Sequence, residues 1–147
     1  MKIKKLDALD IKEFVELIEL FADVFEMGNF EQPDKYHLKT VLAKPNLTVI
    51  VAIENDLVVG GLTLYMLDQY YSVKPLAYLY DLAVSKDHQR KGVGKQLIAY
   101  TTEFCRDNGY EEVFVQADKA DEHAIEFYRS TTPTAEEDVS HFYYLLR

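Results

Sequence analysis

Apolar residues recur along the chain with two periods, one typical of helices and the other of strands. The first helix is predicted to begin at Asp10, where Glu13 completes a capping-box-like pair, and to end at Gly28. Its predicted core face carries apolar residues at helical spacing: Phe14, Leu17, Ile18, Phe21 and Phe25. A second, shorter helix opens at Pro33 and stops before Pro45. Further helices are predicted from Gly92 to a left-handed cap at Asn108-Gly109, and over residues 121–129.

Runs of β-branched and aliphatic residues predict the strands. Residues 48–53 and 57–67 flank the turn sequence Glu54-Asn55-Asp56 and therefore predict a hairpin. Gly60-Gly61 inside the second of these strands indicates a bulge or a close backbone approach. Residues 77–84 are almost continuously apolar, so we expect a strand buried on both faces. The remaining predicted strands are 2–6, 112–117 and 139–146.

These elements define an α/β fold of the α+β kind. The strand at 77–84, the helix after it and the strand at 112–117 form a unit that implies a parallel pair with a right-handed crossover. A chain of 147 residues is long enough to bury its own core, and no linker or repeat divides it. We therefore expect one domain over residues 1–147, with a mixed sheet of about six to seven strands and about four helices.

Charge and composition narrow the range of partners. The net charge of −9 argues against a nucleic-acid partner, because such binding relies on a basic surface. The acidic excess serves either solubility or the binding of a cationic ligand. The single cysteine, Cys105, leaves no internal disulfide and suits a reducing compartment. Four scattered histidines predict no metal site, and the lack of a leader or membrane-length segment predicts a soluble, cytoplasmic protein without a membrane partner.

The most informative segment is Gln89-Arg90-Lys91-Gly92-Val93-Gly94-Lys95. A glycine-rich turn that opens a helix presents backbone N–H groups without intrahelical partners, and these groups together with the cationic side chains suit a phosphate or pyrophosphate. The segment is not a P-loop, which needs Gly at Gln89 and Ser or Thr at Gln96. It is not the dinucleotide fingerprint either, because Leu97 stands where that pattern has its third Gly.

Asp81 interrupts the apolar strand that precedes this segment. An ionised carboxylate in such a place costs several kcal/mol unless it is paired or hydrated. It is either salt-bridged to a structural Lys or Arg, or it faces a cavity in which it binds a substrate. In the second case it could deprotonate an alkyl amine, which has a pKa near ~10 and must lose a proton before it attacks a thioester.

The Q-x-x-G-x-G pattern of residues 89–94 resembles the acetyl-coenzyme A pyrophosphate loop of the GNAT N-acetyltransferases. One branch is more similar still. Tyr78-Leu79-Tyr80-Asp81-Leu82-Ala83-Val84-Ser85, the turn at 88–92, Val115-Gln116-Ala117-Asp118, Asp121-Glu122 and Tyr128 resemble the aminoglycoside 3-N-acetyltransferases. The resemblance is dense over residues 78–128. It ends after Tyr128, where Ser130-Thr131-Thr132-Pro133 replaces a Gly-containing turn.

The resemblance implies a GNAT fold and a role for each matching residue. Asp81 would be the general base, and Tyr128 would protonate the departing thiolate of coenzyme A unless it is only a packing residue. Acetyl-CoA would be held by the backbones of one strand and by the loop: Leu82, Ala83, Val84, Gln89, Arg90, Lys91, Gly92, Val93, Gly94 and Lys95. The acceptor amine would be held by Tyr80, Asp81, Asp118, Asp121 and Glu122. For Asp121, capping of the following helix is an equal alternative.

The resulting interpretation is an acetyl-CoA-dependent N-acetyltransferase acting on a small cationic amine. The best match is an aminoglycoside, which would make antibiotic resistance the biological role. Two alternatives remain open: a GNAT enzyme for another amine, such as a polyamine, an amino sugar or a peptide N-terminus, and a non-catalytic acyl-CoA-binding module. The presence of both Asp81 and Tyr128 argues against the second, because binding the cofactor requires neither. A homodimer is common among similar enzymes.

Overall fold

The computed structural model describes all 147 residues, which form two compact units, 1–116 and 117–147. The first unit contains all the strands: β1 (Lys2–Lys5), β2 (Leu47–Glu54), β3 (Leu57–Leu67), β4 (Leu76–Val84) and β5 (Glu112–Val115). Its helices are α1 (Ile11–Val24), α2 (Lys35–Leu42) and α3 (Val93–Asp107), with a 3-10 turn at Lys86–His88. The second unit contains α4 (Glu122–Ser130). None of the helices combines the length and apolar character needed to cross a bilayer.

The sheet has the order β1-β2-β3-β4-β5 and is mixed. Its first four strands are antiparallel, whereas β4 and β5 run parallel, with Leu76 opposite Glu112 and Leu79 opposite Val115. The predicted mixed α/β sheet and its parallel pair are confirmed. The predicted number of strands is wrong: there are five, because residues 139–146 belong to no strand. Strand-forming residues produce a strand only where another strand accepts their hydrogen bonds.

The predicted β2–β3 hairpin is present, and its turn has two residues rather than three because Glu54 belongs to β2. Asn55 and Asp56 have φ angles of 52° and 63°, the left-handed conformation that a tight two-residue hairpin requires. The pairing then shifts from Ile53–Val58 to Ala52–Gly60, which leaves one extra residue in β3. The predicted bulge is therefore present.

The glycine pair also predicted a close backbone approach, and this is found at Gly61. A Cβ atom at this position would lie 2.6 Å from Leu17 Cδ1 of α1 and 2.9 Å from the carbonyl oxygen of Ile50. No side chain fits there without moving the helix or the neighbouring strand. Glycine therefore sets how closely α1 packs on the sheet.

The core consists of two apolar clusters in the first unit. One cluster joins the sheet to α3 and contains residues such as Leu62, Leu79 and Leu97, all at most 1% exposed. The other joins the sheet to α1 and α2 through Leu17, Val51 and their neighbours. Burial of a leucine-sized side chain contributes about 1.5–3 kcal/mol, so both layers of helices are held firmly on the strands.

Two details of the first helix differ from the prediction. Asp10 occupies the N-cap position but does not cap, because its carboxylate accepts the N–H of Asp7 at 2.8 Å and lies 3.4 Å from Lys4 Nζ. The helix also ends earlier, at Val24, because Glu26 is left-handed (φ 55°) and takes the place usually held by glycine. Phe25 consequently lies 43% exposed rather than in the core.

Candidate active site

The sequence predicts that β4 is buried on both faces, but in the structure it is not, because the strand contains a bulge. Its pairing with β3 shifts from Thr63–Asp81 to Leu64–Leu79, so Tyr80 is an extra residue, and its side chain is 58% exposed. Thr63 is two residues from Tyr65 on β3, and the Tyr80 ring lies 5.7 Å from the Tyr65 ring. The bulge therefore lets Tyr80 and Asp81 point to the same side of the sheet, although they are adjacent in sequence.

Aromatic rings extend this surface across three strands. The Tyr80 ring meets that of Tyr78 edge-on at 5.8 Å, and the Tyr78 ring stacks on Phe114 of β5 at 4.7 Å. Together with Tyr65, these rings form a continuous aromatic surface beside Asp81. Such a surface can pack against the apolar faces of a cyclic substrate and attract a cation held over a ring.

Asp81 itself has no cationic partner. Its carboxylate takes part in none of the ion pairs of the chain, and its backbone N–H donates to Thr63 Oγ1 at 3.3 Å. Burial raises the pKa of its carboxyl above the ordinary value of 3.8. The structural salt bridge, one of the two alternatives for this residue, is therefore absent. A half-buried carboxylate with a raised pKa is a competent proton acceptor.

Beyond Asp81, β4 keeps its partner on one side only. Pairing with β5 stops at Leu79–Val115, whereas pairing with β3 continues to Val84–Gly60. The backbones of Leu82 and Ala83 are thus paired with β3 on one side and with no strand on the other. Backbone groups that are unpaired in this way are available to bind an extended ligand.

The glycine-rich segment forms the N-terminus of α3. Gly92 is the N-cap with φ 83°, no side chain caps the helix, and the first bond runs from Gln96 N–H to the Gly92 carbonyl 3.0 Å away. The N–H groups of Val93, Gly94 and Lys95 therefore have no partner within the protein. A 15-residue helix directs its positive dipole end to this point, beside the exposed Arg90 and Lys91. The geometry suits a pyrophosphate.

Gln89 has a bracing contact instead of a free side chain. Its Nε2 donates to the carbonyl oxygen of Val84 at 3.0 Å, which ties the loop to the end of β4. The side-chain amide is therefore engaged within the protein. Gln89, which was predicted to bind the cofactor, uses this amide to hold the loop in place.

A second brace was not predicted from the sequence. His88 Nδ1 lies 2.6 Å from Ser85 Oγ, and His88 Nε2 lies 3.1 Å from Glu54 Oε2 at the end of β2. The imidazole thus joins β4, the turn before the loop and the hairpin. The only signal for this contact in the sequence was the pattern Ser-x-x-His directly before the loop. Glu54 could not be identified as a partner because it is distant along the chain.

The other predicted site residues lie in the second unit. Asp121 caps α4, since its Oδ1 accepts the N–H of Ala124 at 3.1 Å, so the capping alternative is confirmed. Asp118 Oδ1 accepts the N–H of Ala120 at 2.9 Å, and the backbone of Asp121 bonds that of Asp118. Asp118 and Asp121 therefore share one turn, and the exposed Glu122 follows it.

Tyr128 and Cys105 complete the set of candidate chemical groups. Tyr128 lies on α4, half-buried, with its ring 5.0 Å from that of Phe127. Cys105 is 2% exposed in the core, and burial raises the pKa of its thiol to about 11. The thiol therefore stays protonated at neutral pH, which argues against a role as an acetyl carrier.

Comparison with known proteins bears on this geometry. Residues 14–131 match the model of the acetyltransferase (GNAT) family. The search of curated proteins gives no match. An aminoglycoside acetyltransferase from an uncultured soil metagenomic sample, crystallised with trehalose, is 56% identical to this chain with a TM-score of 0.98. The alignment covers 99% of this chain and 96% of that one.

Two further structures extend the comparison. The same soil enzyme in complex with sisomicin gives 55% identity, a TM-score of 0.98, and coverage of 99% of this chain and 96% of that chain. A second aminoglycoside acetyltransferase, also from an uncultured soil metagenomic sample, is 28% identical with a TM-score of 0.83. That alignment covers 99% of this chain and 98% of the other.

Proposed function

The chain belongs to the GNAT family of acetyltransferases, and we propose that it moves the acetyl group of acetyl-CoA to an amino group of an aminoglycoside. One observation carries the proposal. Three features follow one another along β4 and the turn after it. They are a carboxylate without a cationic partner, a stretch of strand backbone that is paired on one side only, and a helix N-terminus with open N–H groups. This is the order in which an amine, a thioester arm and a pyrophosphate would be bound.

The donor side rests on backbone groups more than on side chains. The N–H groups of Val93, Gly94 and Lys95 would bind the pyrophosphate, with Arg90 and Lys91 adding positive charge. Acetyl-CoA supplies an activated acetyl thioester when bound. An N–H of residues 82–84 would stabilise the negative charge that develops on the carbonyl oxygen during attack.

The acceptor side rests on Asp81. Its carboxylate would bind the substrate ammonium, take one proton, and leave a neutral amine able to attack. Tyr128 would then protonate the departing thiolate, a modest contribution because an alkyl thiol already has a pKa near ~8.5. Asp118 and Glu122 would bind further ammonium groups of a polycationic acceptor, and Asp121 would keep one oxygen for its helix cap.

An aminoglycoside is favoured over other amines by two supports. The soil enzyme bound to sisomicin aligns over 99% of this chain at 55% identity. The aromatic surface beside Asp81 suits a cyclic acceptor better than a linear polyamine, because a sugar ring has extended faces that pack on tyrosine. The single cysteine is free and buried, which suits a reducing compartment and supports a cytoplasmic location. An enzyme with this activity in the cytoplasm would confer antibiotic resistance.

The test is release of coenzyme A by the purified protein, measured with a thiol reagent across aminoglycosides, linear polyamines and a peptide N-terminus. We expect turnover with aminoglycosides and little with the other amines. Turnover restricted to polyamines or peptides would contradict the acceptor class. Binding of acetyl-CoA without turnover on any amine would instead support the acyl-CoA-binding module.

A further inference from the structure

The bulge in β4 decides which side of the sheet the carboxylate of Asp81 faces. Leu64 on β3 pairs with Leu79 on β4. The next pair is Thr63 with Asp81, so Tyr80 is an extra residue. Because side chains alternate between the two faces along a strand, one extra residue exchanges the faces of all the residues that follow it.

Regular pairing would place Asp81 in the core. If the pairing continued from Leu64–Leu79 without a bulge, the residue opposite Asp81 would be Leu62. Leu62 is fully buried in the apolar cluster between the sheet and α3. An ionised carboxylate without a cationic partner is strongly disfavoured among such side chains. The bulged register instead leaves Asp81 on the opposite face, beside the aromatic surface.

Thr63 is the residue of β3 that meets the bulge. It lies between Leu62 and Leu64, which belong to the cluster beneath α3, so its side chain is on the face of Asp81. Thr63 is only 8% exposed, and the backbone N–H of Asp81 donates to its Oγ1 at 3.3 Å. In regular pairing Tyr80 rather than Asp81 would lie opposite this hydroxyl. The hydrogen bond therefore favours the bulged register.

We propose that Thr63 is a positioning residue, whose hydroxyl holds the backbone of Asp81 in the bulge and thereby keeps the carboxylate on the substrate side of the sheet. The inference rests on the proposed function, in which Asp81 takes a proton from the amine. Thr63 acts through the backbone of Asp81 and not on the substrate. A neutral hydrogen bond contributes a factor of about 3 to 10 to an equilibrium constant, so its loss should have an effect of this order.

Thr63→Val and Thr63→Ser separate the hydroxyl from the shape of the side chain. Valine has nearly the same shape as threonine and favours a strand, but it lacks the acceptor that serine keeps. We expect T63V to lower kcat by about 3- to 10-fold. The KM for acetyl-CoA should stay unchanged, because the glycine-rich segment is not altered. T63S should have a kcat close to that of the native protein.

The matched control is Thr48→Val. Thr48 on β2 is also 8% exposed, but it pairs with Leu64 and not with a residue of β4. T48V removes an equally buried hydroxyl from the same sheet and should leave kcat and KM native. Equal losses of kcat in T48V and T63V, or a T63S variant as slow as T63V, would overturn the proposal.

Amide hydrogen exchange followed by NMR tests the contact independently of the reaction. In T63V the amide of Asp81 should exchange about 3- to 10-fold faster than in the native protein, with the amides of β1 unchanged. Native exchange at Asp81 would overturn the proposal even if kcat fell. A native protein that acetylates no amine would refute the proposed function instead, and faster exchange in T63V would then still support the contact between Thr63 and the bulge.

Discussion

Replacing Asp81 with Asn tests two effects of one carboxylate, its role in catalysis and its cost to the stability of the fold. The substitution keeps the shape of the side chain and the backbone bond to Thr63 Oγ1, and it removes the negative charge together with the ability to take a proton. A general base contributes roughly 100-fold or more to the rate, so kcat should fall by at least about 100-fold, or about 2.7 kcal/mol in the barrier. The KM for acetyl-CoA should stay unchanged.

The same substitution should stabilise the fold at neutral pH. Burial raises the pKa of Asp81 in the folded state above 3.8, and no cation offsets the desolvation of the ionised form. The penalty is absent below pH 3.8, grows as the pH rises and is complete above the folded pKa. Because the group is half-exposed, we expect a gain of at most about 1 kcal/mol, or roughly 2–4 °C in Tm.

The assay pairs coenzyme A release with thermal unfolding, both measured as a function of pH. In the native protein kcat/KM should fall as acidification protonates Asp81, and this limb should be absent from D81N. The Tm advantage of D81N should disappear at acid pH. Asp87→Asn, at an exposed position of the turn before the loop, makes the same charge change and should alter neither property. A D81N variant with native kcat, or a lower Tm than the native protein, would refute the reasoning.

The remaining predictions concern the loop and the packing beneath it. Gly92→Ala and Gly109→Ala each place a side chain at a left-handed position, with φ 83° and 76° and no atom nearby. Each should lower the free energy of unfolding by about 1–2 kcal/mol, but only Gly92→Ala should raise the KM for acetyl-CoA. Gly61→Ala should lower stability by about 1–3 kcal/mol through overpacking, whereas Gly28→Ala, in open space, should leave Tm nearly unchanged. His88→Ala should raise the KM for acetyl-CoA several-fold with little change in kcat. A fall in kcat as large as the rise in KM would contradict a positioning role.

Local chemistry made much of the fold predictable. The Asn55-Asp56 turn and the cap at Gly109 follow from residues that tolerate a left-handed backbone, and both are present. The parallel pairing of β4 with β5 follows from the length of the helix between them. These features depend on neighbours in sequence, which a single chain displays.

Features that depend on distant partners were not predictable. The bulge at Tyr80 arises from the register of β3 on β4, and the anchoring of His88 requires Glu54 from another strand. Glu26 ends α1 in a conformation that its residue type does not favour. The strand predicted over 139–146 was wrong for a related reason: its residues favour a strand, but no other strand pairs with them.

We propose above all that this chain acetylates an amine of an aminoglycoside with acetyl-CoA as donor. The most direct measurement is to incubate the purified protein with acetyl-CoA and sisomicin and to identify the product by mass spectrometry and NMR. We predict coenzyme A and mono-N-acetylated sisomicin in equal amounts, with at least about 100-fold less product when D81N replaces the native protein for the same time. Coenzyme A formed without acetylated sisomicin, or no reaction with this or any other aminoglycoside, would contradict the account.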